Sequence, residues 1–137
     1  MKRLLIFCIT LVFCASCSID DDNTSYSFEV LPVESIDIPD EFKLGEIYPI
    51  TVSYSKPSSC HTFKEFFYAK ENNERTVAPI TYVFDNNKCE IIEEDYLAES
   101  TFNFKVTSNG SYIFKFWQGK DDDGETQYLI IEVPVVE

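Results

Sequence analysis

The sequence predicts an all-β sandwich, and three observations carry that prediction. Apolar residues recur with period two through most of the chain beyond Tyr26. The same stretches are rich in Thr, Val, Ile, Phe and Tyr, which fit a pleated, half-buried surface. Turn-forming clusters interrupt the pattern about every 8–12 residues, the spacing of a sandwich of short strands.

Taken in order, Phe28, Val30, Leu31, Val33, Ile36 and Ile38 read as a first strand. Gly45-Glu46 opens a second over 47–54, where Ile50, Val52 and Tyr54 share one face, and Pro49 belongs near a strand start or an edge. Lys56-Pro57-Ser58-Ser59 is a turn. Thr62 to Lys70 is dense in aromatics (Phe63, Phe66, Phe67, Tyr68) and ends at the Glu71-Asn72-Asn73-Glu74 turn. Arg75 to Phe84 follows as a strand, with Pro79 suggesting a bulge or an edge, and Asp85-Asn86-Asn87 is the next turn. Glu93 to Ala98 could form a helical turn. Simple alternation puts Tyr68, Tyr82, Trp117 and Tyr128 on faces turned away from the core.

From Thr101 the alternation sharpens: Phe102, Phe104 and Val106, then Tyr112, Phe114 and Phe116 after Ser108-Asn109-Gly110. A two-residue Asn109-Gly110 turn would set Phe104 opposite Lys115 and mix the faces. A three-residue loop pairs Phe104 with Phe114 instead. Alternatively the chain crosses between sheets here, and Gly110-x-Tyr112 resembles the corner before the penultimate strand of immunoglobulin-like domains. Both readings place the same aromatics inside. Gln118 to Thr126 is an acidic loop, and Gln127 to Val136 a final strand with Leu129, Ile131, Val133 and Val135 inward. The expected architecture is an immunoglobulin-like Greek-key β-sandwich of about 7–9 strands, with a small β-barrel as the alternative.

The amino-terminal residues follow different chemistry. Lys2 and Arg3 precede a short apolar run, Leu4 to Phe13, about half the roughly 20 residues needed to span a bilayer. A charged start, short apolar stretch and small-residue exit mark a cleaved export signal. Cys14-Ala15-Ser16-Cys17 resembles the lipobox of bacterial lipoproteins, departing from it at Cys14, where an aliphatic residue is usual. That resemblance implies cleavage before Cys17 and acylation of Cys17 with palmitate-type chains; the alternative is an ordinary secretory signal. The expected organisation is a signal over 1–16, an acidic tether over 17–25 and a β-sandwich domain over 26–137. Asp20-Asp21-Asp22 resembles the acidic tag of Bacteroidota lipoproteins exported to the outer face of the outer membrane.

Removing residues 1–16 takes two bases and no acids, so the formal charge moves from −13 to −15 over 121 residues. That balance excludes nucleic acid and direct adsorption to anionic lipid, both of which require a basic face. Ser18 to Phe42 carries eight acids and no Lys or Arg, a composition that extends a flexible segment. With Cys17 acylated, Cys60 and Cys89 remain, and an even pair in an exported chain is expected as a disulfide. The competing reading, a metal site on Cys60, His61 and Cys89, is one ligand short of the usual structural zinc set.

Catalytic chemistry has little to draw on. His61 is the single imidazole, no serine lies in a G-x-S-x-G context, and no paired carboxylates are tied to a recognisable cleft. Asp121-Asp122-Asp123-Gly124-Glu125 fails the EF-hand spacing, because Gly119 and Ile130 stand where ligands would be needed; a weak surface calcium contact or a plain solvated hairpin tip remain. No enzyme, cofactor or metal site is therefore expected. Over the whole mature chain, the lipobox with its DDD start, PSSCH around Cys60 and GSYIFKFWQGKDDDGETQYLIIEVPV resemble small Bacteroidota surface lipoproteins, a group with no assigned activity. The resemblance implies a lipid-anchored envelope module with a binding, adhesion or accessory role. Its partners would be the membrane, through the lipid on Cys17, and a protein or glycan. A second possibility is a cysteine-protease inhibitor resembling the chagasin group, although Ser55-Lys56-Pro57-Ser58-Ser59 matches that group's N-P-T-T-G loop poorly.

Overall fold

A computed structural model describes residues 25–86, 88–93 and 96–137. The signal, Cys17 and nearly all of the tether lie outside the described residues. Ten strands follow one another: β1 (Tyr26–Val30), β2 (Val33–Asp37), β3 (Phe42–Lys43), β4 (Ile47–Ser55), β5 (His61–Glu71), β6 (Glu74–Phe84), β7 (Leu97–Lys105), β8 (Tyr112–Lys120), β9 (Thr126–Val133) and β10 (Val135–Val136). No helix occurs among the described residues, and no sheet closes into a barrel. One layer joins β5, β6, β1, β8 and β9; the other is β2-β4-β7; a short β10–β3 pair lies beside them. The chain changes sheet from β1 to β2, from β4 to β5, from β6 to β7 and from β7 to β8, the crossing habit of a Greek-key sandwich.

The first apolar run becomes two strands in different sheets rather than one. Pro32 separates them: it lacks a ladder donor and holds Leu31 away from continuation, while Leu31 itself is buried. Pro79 solves a related problem at the centre of the larger sheet. Strand β6 pairs with β5 along one side, and on the other with β1 over residues 80–84 and β8 over residues 74–77. The Pro79 carbonyl accepts from Leu31 N–H at 3.0 Å, on the side of the handover between β1 and β8. A proline's missing N–H would point to that same side, where no continuous ladder needs it. The irregularity falls instead on β5, whose register against β6 shifts between Phe63 and Glu65.

Inward residues of both layers make one aromatic core. Phe42 lies against Tyr48, Phe104, Tyr112 and Phe114, with ring centroids 4.9–6.2 Å apart. Phe104 and Phe114 meet at 5.1 Å across the sandwich, not as neighbours in a hairpin. Of the two sequence readings at 108–110, the sheet crossing is therefore the one realised. Tyr112 secures it: its hydroxyl accepts the N–H groups of Thr107 at 3.0 Å and Ser108 at 2.9 Å, the tyrosine corner of immunoglobulin-like sandwiches. Ile50, Val52 and Tyr54 share the buried face of β4 as expected, and Tyr54 reaches Ser100 on β7 at 3.1 Å.

Tyr112→Phe keeps the ring and removes the acceptor, stranding two N–H groups at the corner. Urea unfolding should show a loss of about 1–3 kcal/mol with an unchanged fold.

Candidate functional site

Three regions singled out in the sequence resolve into distinct local structures. The first is the disulfide. Cys60 and Cys89 are bonded, with Cα atoms 5.4 Å apart across 29 positions, and join the start of β5 to the segment after β6. Around it, Ser59 N–H donates to the Glu90 carbonyl at 2.9 Å and Ser58 bridges to Ile91, so Ser55–Ser59 is pinned against the 89–92 segment.

His61 sits at the same end, buried, and links two elements. Its Nδ1 lies 2.9 Å from Ser58 Oγ and its Nε2 2.8 Å from Glu29 Oε2, a serine–histidine–carboxylate chain. The neighbouring N–H groups are already occupied: Ser59 by Glu90, Cys60 by Ser58 Oγ at 3.3 Å, and His61 by the Ser58 carbonyl. No pair of them is free to hold an oxyanion, the group that acyl transfer at such a chain needs. The arrangement fastens β1 to the 57–61 turn.

The acidic loop is a hairpin tip between β8 and β9. Asp121 Oδ1 accepts the N–H groups of Asp123 and Glu125 at 3.1 and 2.8 Å, and Oδ2 accepts Gln127 Nε2 at 2.6 Å. Gly124 takes the left-handed conformation, φ 83°, that closes the turn. Both oxygens of Asp121 thus serve the loop itself. Among the described residues no group of three or more His, Cys, Asp or Glu is placed to hold a metal ion.

A further feature is one that alternation only partly reveals: the outer face of the five-stranded sheet. Register places Tyr26, Phe28 and Val30 of β1 beside Phe84, Tyr82 and Ile80 of β6. Tyr26, Phe28, Tyr82 and Phe84 form a ring cluster with centroid separations of 5.2–6.2 Å. Further along the sheet, Val30, Phe67, Trp117 and Tyr128 line a shallow apolar pocket of about 210 Å³ floored by Ala78. Phe28, Phe67 and Ile130 are 57 %, 49 % and 59 % exposed, so this face is open to solvent. Its cations are locally engaged: Lys115 pairs with Glu74, Lys64 pairs with Glu65, and Lys64 also lies 5.1 Å from the Phe28 ring centroid.

Tyr82, Trp117 and Tyr128 stand on this outer face as expected, but Tyr68 does not. The shift at Lys64 inverts the alternation of β5, so Phe63, Phe66 and Tyr68 face the second sheet and Phe67 faces out. Compared with known proteins, the chain matches no family model, no curated protein and no solved structure.

Replacing Cys60 and Cys89 together by serine should lower stability by roughly 3–4 kcal/mol in the chain-entropy picture of a loop of about 30 residues. Denaturant unfolding of the oxidised protein and the variant measures it; equal midpoints would show the crosslink energetically idle.

Proposed function

We propose that this protein is a lipid-anchored module of the bacterial cell envelope that docks an envelope protein on the outer face of its five-stranded sheet. Cys17 is the acylated residue in this reading. Residues 17–25 act as the leash, and the Bacteroidota-like DDD start assigns the domain to the cell surface. The observation that carries the docking role is the exposed aromatic and aliphatic face from Tyr26 and Phe28 across to Tyr128 and Ile130. Single exposed apolar residues are ordinary, whereas a contiguous set across a sheet marks an interaction surface. Aromatic residues are also the side chains that dominate binding energy in protein interfaces.

The composition of the face argues for a protein rather than a glycan. Sugar platforms set rings among polar side chains that bond the sugar, while here Lys64 and Lys115 are paired with Glu65 and Glu74, and Val30, Ile80, Ala78 and Ile130 share the face with the rings. A second copy of the same chain is disfavoured, because two processed bodies of formal charge −15, the −13 of the full chain less Lys2 and Arg3, repel on approach. The fitting partner is an apolar protein surface with a neutral or basic rim.

A photo-crosslinking residue at Phe67, compared with one at Thr101 on the three-stranded sheet, tests this on intact cells. A discrete crosslinked species from position 67 alone, abolished by Phe28→Glu with Tyr128→Glu, is expected. Equal crosslinking from both positions, or none from either, would remove the docking face. Mass spectrometry of the native protein decides the anchor separately: a diacylglyceryl-modified Cys17 is expected, and Cys17→Ser should release the protein from the membrane.

A further inference from the structure

On the opposite side of β5 from the docking face, we infer a carboxylate-binding cleft with Arg75 as its anchor. The cleft, about 450 Å³, opens between the free edge of β5 and the free edge of β7. Its walls are Phe66 and Tyr68 on one side and Phe102 and Phe104 on the other, and Lys70 and Lys105 stand at its margins. No acid lines it. That absence matters in a chain with 24 Asp and Glu against 11 Lys and Arg, because three cations share one cleft.

Arg75 is the one arginine beyond Arg3 and is only 3 % exposed. A buried guanidinium ordinarily sits beside a carboxylate. This one has no such partner among the described residues. Its Nη1 donates to the carbonyls of Asn72 and Glu74 at 2.9 and 2.6 Å, and its planar group lies 5.0 Å from the Tyr112 ring centroid and 5.9 Å from that of Phe104. These contacts hold the charge in place without neutralising it. The Arg75 guanidinium also donates to the hydroxyl of Tyr68, a wall of the cleft, so one side of the group lies at the cleft it lines. A carboxylate entering there meets two donors, the guanidinium fork and the Tyr68 hydroxyl beside it, and charge-assisted bonds of that kind are the strong ones.

The rest of the cleft defines what carries the carboxylate. Phe66, Phe102 and Tyr68 offer ring surface, with Phe66–Phe102 and Tyr68–Phe102 centroids at 5.1 and 6.0 Å. Asn103 and Thr107 add neutral polar groups at the margin. The strongly acidic surroundings oppose the approach of a polyanion but tolerate one negative charge aimed at a local cluster of cations. The ligand class is therefore a small monocarboxylate with an aromatic or apolar body. The cleft uses different residues from the docking face and stands or falls independently of it.

Titration of the full mature protein with N-acetylphenylalanine, its carboxamide and phenyl phosphate tests the assignment. The acid should bind with Kd on the order of 0.1–1 mM, reasonable for so small a ligand, and shift the Arg75 Nε–H resonance. The carboxamide should bind at least about tenfold more weakly, and Arg75→Lys, which keeps charge but loses the fork, should weaken the acid by about tenfold. Lys70→Gln with Lys105→Gln, both at exposed margins, should weaken it about threefold to fivefold and carries the test should Arg75→Lys not fold. Equal binding of acid and carboxamide, no response of the Arg75 resonance at about 20 mM acid, or tighter binding of phenyl phosphate overturns the carboxylate assignment.

Discussion

Much of this structure depends on the placement of one ring, that of Tyr112. Its hydroxyl satisfies the two N–H groups exposed where the chain turns from β7 into β8. Its edge and face meet Phe42, Phe104 and Phe114, which join the two sheets. The Arg75 guanidinium also lies over it. Backbone crossing, core and the floor of the cleft between β5 and β7 are thus coupled through a single side chain. A corner with unsatisfied N–H groups would cost free energy on its own, and a shifted ring would also remove a support of a buried cation. The crossing and the cleft are therefore consequences of the same packing.

The second constraint is that sheet edges must be managed. Free edges of β5 and β7 border the cleft, and both carry charge close by: Lys64, Lys70 and Glu71 on β5, Glu99 and Lys105 on β7. Charged side chains and an irregular register are devices that discourage one edge from pairing with another chain's edge. Strand β5 uses both, since its register breaks at Lys64. The outer face of the same sheet is not protected in this way. Its exposed rings are clustered, and its charges are spent on local ion pairs, which leaves apolar surface as its dominant character. The domain thus defends its edges and leaves one face apolar.

The sequence made the strand class, most strand positions and the core aromatics legible because period-two alternation reports burial directly. Ile50, Val52, Tyr54, Phe104, Phe114 and Phe116 are all inside. The Cys60–Cys89 pairing was legible by elimination, and Gly124 at the hairpin tip by its turn chemistry. Three features were not. Pro32 splits one apolar run between two sheets, a tertiary event that local pattern cannot assign. The register break at Lys64 reverses the faces of Phe66, Phe67 and Tyr68, and nothing in KEFFYAK marks where an extra residue will enter. Arg75 read as an ordinary strand position, because its burial arises from rings distant in sequence, Phe104 and Tyr112.

The register break at Lys64 links the two surfaces of β5. Without it, strict alternation from Phe63 would send Phe67 inward and turn Phe66 and Tyr68 toward solvent on the outer face. The cleft would then lose two of its aromatic walls, and Arg75 would face a different neighbourhood. With the break, Phe66 packs against Phe63 at 4.9 Å and Phe102 at 5.1 Å, and Phe67 joins Val30, Trp117 and Tyr128 outside. One inserted residue therefore allocates aromatic surface to both sides of a single strand. That allocation explains how a strand this apolar can line two separate surfaces without exposing a continuous hydrophobic edge.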